Sequence, residues 1–379
     1  MIRERREEIT TTIAFSASNP TLLTNGIPRD LPLSRVGIMV EGRLTVSGQT
    51  VAGNITEEAP QNLIRRVRVK GTKVTGGGSL TLIDCRAEEL YILTGLYNQY
   101  RPVGSLVAEL PGSGGSAFPA PLAATANGSY DFRFYMEVPF APRFATHKDE
   151  IEGILDPSIF SLLDLEITWG AGTNAIQGGT LTQALSAFGS ATGNPQARIV
   201  RFAPLAAPIR DSVMKYHYQY VSRYLTIGTS IGATFTDTKL ADVNAGNRVR
   251  FLMLRQYLEN AGVTGQFDSA AGAAGSRVGD NSNIGIYRWR VKINGSEKHR
   301  MFNRDQVEEN RQQFTFGYTT LPRGYAFVDW AQRGFLEDIF DAKGFGAAAV
   351  RFELFGDGLN LVGGDKLDLL TCEQIPVEV

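Results

Sequence analysis

Residue types able to carry acid–base or metal chemistry are present in this chain, but they are scattered. Its three histidines, His147, His217 and His299, lie far apart, and nothing in their spacing brings them to one metal or one proton-transfer site. No serine is joined to an acid and a histidine in a nucleophile arrangement. No Gly-rich stretch closes on the Gly-Lys-Ser/Thr of a phosphate loop. Carboxylate pairs exist, Asp164 with Glu166 and Glu57 with Glu58. At i, i+2 on a strand, Asp164 and Glu166 share one face, which suits a solvated surface better than a glycosidase pair. Asp237, Asp329 and Asp341 stand in turn-like contexts, where carboxylates bond nearby backbone amides. The tract Tyr216, Tyr218, Tyr220, Tyr224 is a candidate platform for sugars or bases, but at period two it reads as one face of a sheet. Trp169, Trp289 and Trp330 are expected as core or interface anchors. Cys85 and Cys372 supply neither a disulfide framework nor a metal-ligand spacing. The expectation is no catalysis, no cofactor and no metal.

Composition narrows the class further. The 379 residues exceed the roughly 250–300 at which single cores stop growing, so two domains are expected. With 38 basic and 39 acidic residues there is no global positive field to hold a phosphate backbone, which argues against direct nucleic-acid binding. The start, Met1 to Glu8, is charged and leads into no apolar stretch, so no signal peptide is expected. No run reaches the roughly 20 apolar residues of a membrane span. A soluble product made in a cytoplasm is the expectation.

The elements that must position these residues are mostly strands. Residues 1–30 read as an arm reaching away from its own core. A short helix is expected through Ile9, then an extended path at Thr10 to Thr12, broken by Pro20 and Pro28. From Val36 the apolar residues alternate (Ile38, Val40, Leu44, Val46), then again over Leu63–Val69 and Leu80–Ile83, with Gly76-Gly77-Gly78 as a hairpin break. Helical spacing is expected over 86–100, 248–260 and 301–313. Residues 111–129 and 170–197 read as low-complexity loops, the second marking a domain boundary. The organisation expected is an arm (1–30), a first β-domain (31–195) and a second (196–379).

The two halves repeat one another. Tyr130–Val138 meeting Pro139 is echoed by Phe314–Leu321 meeting Pro322, at an offset of 183. Leu163–Trp169 closing on Gly170 is echoed by Val350–Phe355 closing on Gly356, at 186. A third echo sets Arg66-Val67-Arg68-Val69-Lys70-Gly71 against Arg288-Trp289-Arg290-Val291-Lys292-Ile293-Asn294-Gly295, at 222. Matching order at comparable shifts points to two related β-sandwiches in tandem.

This organisation resembles the double jelly-roll major capsid proteins of the PRD1/adenovirus lineage, which includes membrane-containing tailless bacteriophages. The islands that carry the likeness are Asn62–Val67, Met136-Glu137-Val138-Pro139-Phe140-Ala141, Leu163–Glu166 and Leu321-Pro322-Arg323-Gly324-Tyr325-Ala326-Phe327-Val328-Asp329. The resemblance implies an all-β fold of two tandem jelly-roll sandwiches with short helices in the connecting loops. It implies a structural subunit of the virion, not an enzyme: a homotrimer of pseudo-hexagonal outline in an icosahedral capsid over an inner membrane. Its partners would be neighbouring capsomers and penton and minor capsid proteins, with no small-molecule substrate. Arg3, Arg5 and Arg6 would meet the membrane or a minor protein, although the interleaved Glu4, Glu7 and Glu8 oppose a purely electrostatic anchor. A trimeric phage spike and a carbohydrate-binding β-sandwich protein are the alternatives.

Overall fold

A computed structural model describes residues 4–17, 19–48, 54–55, 60–98, 128–140, 154–172, 176–177, 182–205, 216–226, 236–238, 247–257, 286–293, 296–302, 305–306, 309, 325–330, 340–341, 350–356 and 366–376. The chain divides into two compact units, Met1–Tyr220 with Pro376–Val379, and Val221–Ile375. The boundary falls inside a strand, further along the chain than residues 195/196.

The first unit runs β1 (Glu4–Ala14), β2 (Thr21–Leu22), β3 (Arg35–Ser47), β4 (Asn54–Ile55), β5 (Ile64–Lys73), β6 (Ser79–Cys85), α1 (Ala87–Asn98), β7 (Gly128–Pro139), β8 (Phe160–Trp169), β9 (Ile176–Gln177), β10 (Thr182–Ser186) and β11 (Gln196–Pro204). One antiparallel sheet has the order β1-β11-β3-β7, with β10 pairing the end of β3. The other has the order β6-β5-β8-β2. Alternation supplies the core: Val36, Ile38, Val40 and Leu44 of β3, Phe132, Phe134 and Met136 of β7, and Val67, Val69, Leu163, Leu165 and Ile167 of β5 and β8 are all buried. Gly71 is needed where it stands, because a Cβ there would lie 2.3 Å from the Phe160 ring. Helix α1 begins with Glu88 and Glu89 at its positive end, and Glu89 reaches back to the Arg86 amide at 3.0 Å.

The second unit continues from β12 (Tyr216–Thr226), which contains the boundary, through β13 (Thr236–Thr238), β14 (Arg248–Tyr257), β15 (Ile286–Ile293), β16 (Ser296–Phe302), β17 (Tyr325–Asp329), β18 (Phe340–Asp341), β19 (Val350–Gly356) and β20 (Lys366–Pro376). Its sheets have the orders β12-β20-β14-β17 and β16-β15-β19-β13. These match the first unit strand for strand and in chain order. β1, β2, β3, β5, β6, β7, β8 and β11 correspond to β12, β13, β14, β15, β16, β17, β19 and β20. Helical residues Asp305, Gln306 and Glu309 fall between β16 and β17, as α1 falls between β6 and β7.

Backbone irregularities repeat as well. The β5–β6 pairing slips between Val69 and Lys70, and the β15–β16 pairing between Val291 and Lys292. The β5–β8 pairing slips between Ile64 and Arg66, and the β15–β19 pairing between Ile286 and Arg288. Each position in the first unit lies 222 residues before its counterpart, the shift of the third sequence echo. Arg68 opposes Glu166 as Arg290 opposes Glu353. Bulges are specific local features of a strand pair, so two coincident bulges support duplication more strongly than strand order alone.

Several expectations change. The charged start forms β1, not a helix or a free arm, because Glu4 to Ile9 pair consecutively along β11. Residues 248–260 were expected as a helix, yet Arg248–Tyr257 is β14, a strand paired on both sides. Its near-continuous run of buried residues mimics helical spacing, as strands covered on both faces do. Within 170–197, β9, β10 and the start of β11 are strands. Of 301–313, Met301 and Phe302 end β16 and the described residues beyond it are helical. The first echo is displaced: β7 ends at Pro139, whereas its counterpart β17 follows Pro322. Phe314–Leu321, and the loop at 111–127, lie outside the described residues.

Candidate functional site at the strand edges

Among the described residues, charged side chains tie strands together. Arg35, at the start of β3, is buried and gathers three partners. Its Nη1 lies 2.6 Å from Glu4 Oε1 on β1, its Nε 3.1 Å from Glu137 Oε1 on β7, and its guanidinium stacks 4.0 Å above the Phe202 ring on β11. Farther along β3, Glu41 accepts from Gln196 (2.9 Å), Arg198 (3.0 Å) and Arg133 (3.1 Å). Burial raises the Glu41 pKa, but these three donors outweigh it and hold the carboxyl below its usual range. Arg43 closes the row with a two-pronged bond to Asp131 at 2.7 and 2.8 Å. Arg201 of β11 grips Glu7 at 2.7 Å and also Asp30, whose pKa is lowered chiefly by that hydrogen bond.

The second unit carries equally buried pairs. Arg250 Nε lies 3.1 Å from Asp329 Oδ1, and Arg255 Nη1 lies 2.5 Å from Asp368 Oδ2. Glu373 accepts from Asn247 at 2.8 Å and pairs with Arg223 at 3.2 Å. Removing one member of such a pair would strand a charge out of water, at a cost of about 3–5 kcal/mol.

Both units treat one outer edge alike. On α1, Thr94 Oγ1 donates to Leu90 O at 2.7 Å and accepts the Glu137 amide of β7 at 2.7 Å. Between β16 and β17, Gln306 Nε2 donates to Phe327 O of β17 at 3.0 Å. A helical segment thus satisfies backbone groups on corresponding strands, β7 and β17.

The residues singled out in the sequence fall as follows. Arg5 and Arg6 are exposed on β1; Arg5 Nη2 is 3.6 Å from Glu7, and the Arg6 guanidinium lies 5.5 Å over Phe202. Arg3, His147, Glu57 and Glu58 lie outside the described residues. Glu166 accepts from Arg68 at 2.5 and 2.6 Å across β5 and β8, on a face it shares with Asp164. Asp329 is not a turn residue but a buried strand partner of Arg250. Tyr218 and Tyr220 are buried, as a sheet face requires. Trp169 anchors the core: its Nε1 donates to Thr21 Oγ1 at 2.9 Å and its ring meets Phe15 edge-on. Cys85 and Cys372 are buried and form no disulfide. Among the described residues no three His, Cys, Asp or Glu side chains are placed to hold a metal ion, and no helix is long and apolar enough to cross a membrane. Sequence reasoning missed Arg35, Glu41 and Arg201. The available signal was charge at strand positions whose neighbours in the sheet carry the opposite sign.

Solved structures share this fold. The major capsid protein of Sulfolobus turreted icosahedral virus superposes with a TM-score of 0.65 at 13% identity, covering 99% of this chain and 97% of that one. The capsid of PBCV-1 virus gives 0.55 at 13%, covering 99% and 94%. The major capsid protein of bacteriophage PM2 gives 0.53 at 10%, covering 99% and 98%. Neither a protein-family model nor a curated protein sequence matches the chain. The fold is therefore that of the double jelly-roll viral capsid proteins, matched along nearly the whole length of both chains.

His217 offers a test of the packing. It is buried on β12 beside Phe160, with ring centroids 6.0 Å apart, and burial and then Lys73 lower its pKa to about 4, against a smaller opposing pull from Asp156. Well above pH 6.5 the imidazole is neutral whether the chain is folded or not. As pH falls from 6.5 to about 4, only the unfolded chain takes up the proton, so stability declines across that window. The decline from this group should total about 3 kcal/mol. Replacing His217→Gln should flatten the dependence of unfolding free energy on pH over that range. An unchanged slope in denaturant titrations would show that His217 is not held neutral by burial.

Proposed function

We propose that this chain is a major capsid protein, a structural subunit of an icosahedral virus shell and not an enzyme. The observation that carries the reading is the pair of matching eight-stranded rolls in a fold shared end to end with capsid proteins. Two like rolls per chain let three chains present six similar units, which fill a hexagonal position in a shell. The homotrimer would pack against neighbouring capsomers and against penton and minor proteins. Buried ion pairs and strand-edge caps suit a subunit that must keep one shape while its surfaces are covered.

The shell would enclose an internal membrane, with the start of β1 directed towards it. Glu4 and Glu7 are engaged by Arg35 and Arg201, which leaves Arg5 and Arg6 as the exposed cations for anionic headgroups or a minor protein. Static light scattering on the purified chain should give three times 41.3 kDa, about 124 kDa; a stable monomer would contradict the capsid reading. Anionic vesicles should co-float the trimer less well after Arg5→Ser with Arg6→Ser. Equal flotation would move the membrane contact elsewhere on the chain.

A further inference from the structure

The two units correspond strand for strand, yet one position is filled in the first and open in the second. In the first unit, Tyr216–Tyr220 of β12 lie along the outer side of β6. Gln219 Nε2 donates to Thr81 O at 2.6 Å, and Cys85 Sγ to Tyr220 O at 3.5 Å. The counterpart of β6 is β16, and among the described residues no strand lies beyond it. Conversely, the counterpart of β12 is β1. One side of β1 is paired along β11, and among the described residues its other side carries no strand.

We propose that β16 of one copy pairs with β1 of a second copy, reproducing between chains the place that β12 takes beside β6 within the chain. The inference rests on the reading of the chain as a trimeric capsid subunit and names the strands that join the subunits. The contact is head to tail, with different strands contributed by each partner, so it makes a ring only if the rotation closes; three chains would close it. An eleven-residue edge strand is a template for unwanted pairing unless charge guards it. β1 has that guard in Glu4-Arg5-Arg6-Glu7-Glu8, with Glu8 exposed, while β16 carries Lys298 and Arg300 in its sequence. Where β12 lies beside β6 in the first unit, Tyr218 and Tyr220 on one strand and Leu82 and Ile83 on the other are all buried. Mixed charge on both strands keeps these edges soluble before assembly.

The test pairs one cysteine on β1, at Arg5→Cys or Glu8→Cys, with one on β16, at Lys298→Cys or Arg300→Cys, in the full-length chain. Disulfides form only where Cα atoms approach within about 7 Å. After mild oxidation at least one combination should yield several-fold more covalent dimer and trimer than either single variant, with the β1–β16 linkage identified by peptide mass spectrometry. Trimers by light scattering that yield no such linkage in any combination would overturn the strand pairing and leave the capsid reading standing. Monomers would overturn both. Should the variants misfold, hydrogen exchange on the unaltered trimer decides: amides of residues 296–302 should be protected as strongly as those of β6, and free exchange there would overturn the pairing.

Discussion

A β-sandwich saturates its interior hydrogen bonds but leaves rows of amides and carbonyls along its edges, and an unmanaged row invites pairing with any extended chain. Much of this structure answers that constraint. β7 and β17 each have a backbone group satisfied from a helical segment, by Thr94 in one unit and Gln306 in the other. β1 is lined with mixed charge and clamped through Glu4 and Glu7. The charged rows on β3, β7 and β11 hold the strands in register, since a slip of one residue would separate Arg43 from Asp131 and Glu41 from its three donors.

Duplication is written in geometry more faithfully than in side chains. The coincident slips at Val69/Lys70 and Val291/Lys292 fall in stretches that also match in sequence, Arg66-Val67-Arg68-Val69-Lys70 and Arg288-Trp289-Arg290-Val291-Lys292, whereas the strand order repeats throughout both units. Gly71, forced by the Phe160 ring, corresponds to Ile293 in the second unit. Strand order and bulge position follow from how the backbone closes its hydrogen bonds, and many side-chain sets satisfy that. The same argument explains why the solved capsid proteins match in fold at 10–13% identity.

The all-β class, the tandem organisation and α1 were legible because period-two alternation in β3 and β5 and helical spacing at Leu90 and Leu93 are local signals. β14 was not legible: with Val249 to Arg255 buried on both faces, its pattern carries no period that separates strand from helix. β1 was misread because a mixed-charge run looks helical until Arg35 and Arg201, distant in sequence, appear as partners. β10 and the start of β11 hid in a stretch rich in Gly, Ala and Ser, and their strand pairing is imposed by β3 and not by local propensity. The clamps were illegible for the same reason, as they join residues from 31 to 194 positions apart.

Cryo-electron microscopy of the assembled chain tests the duplicated architecture most directly. Each subunit should contribute two barrels of eight strands in the same order, so that a three-chain capsomer displays six. A map with one barrel per subunit, or with two barrels of unlike strand order, would contradict the account at its root.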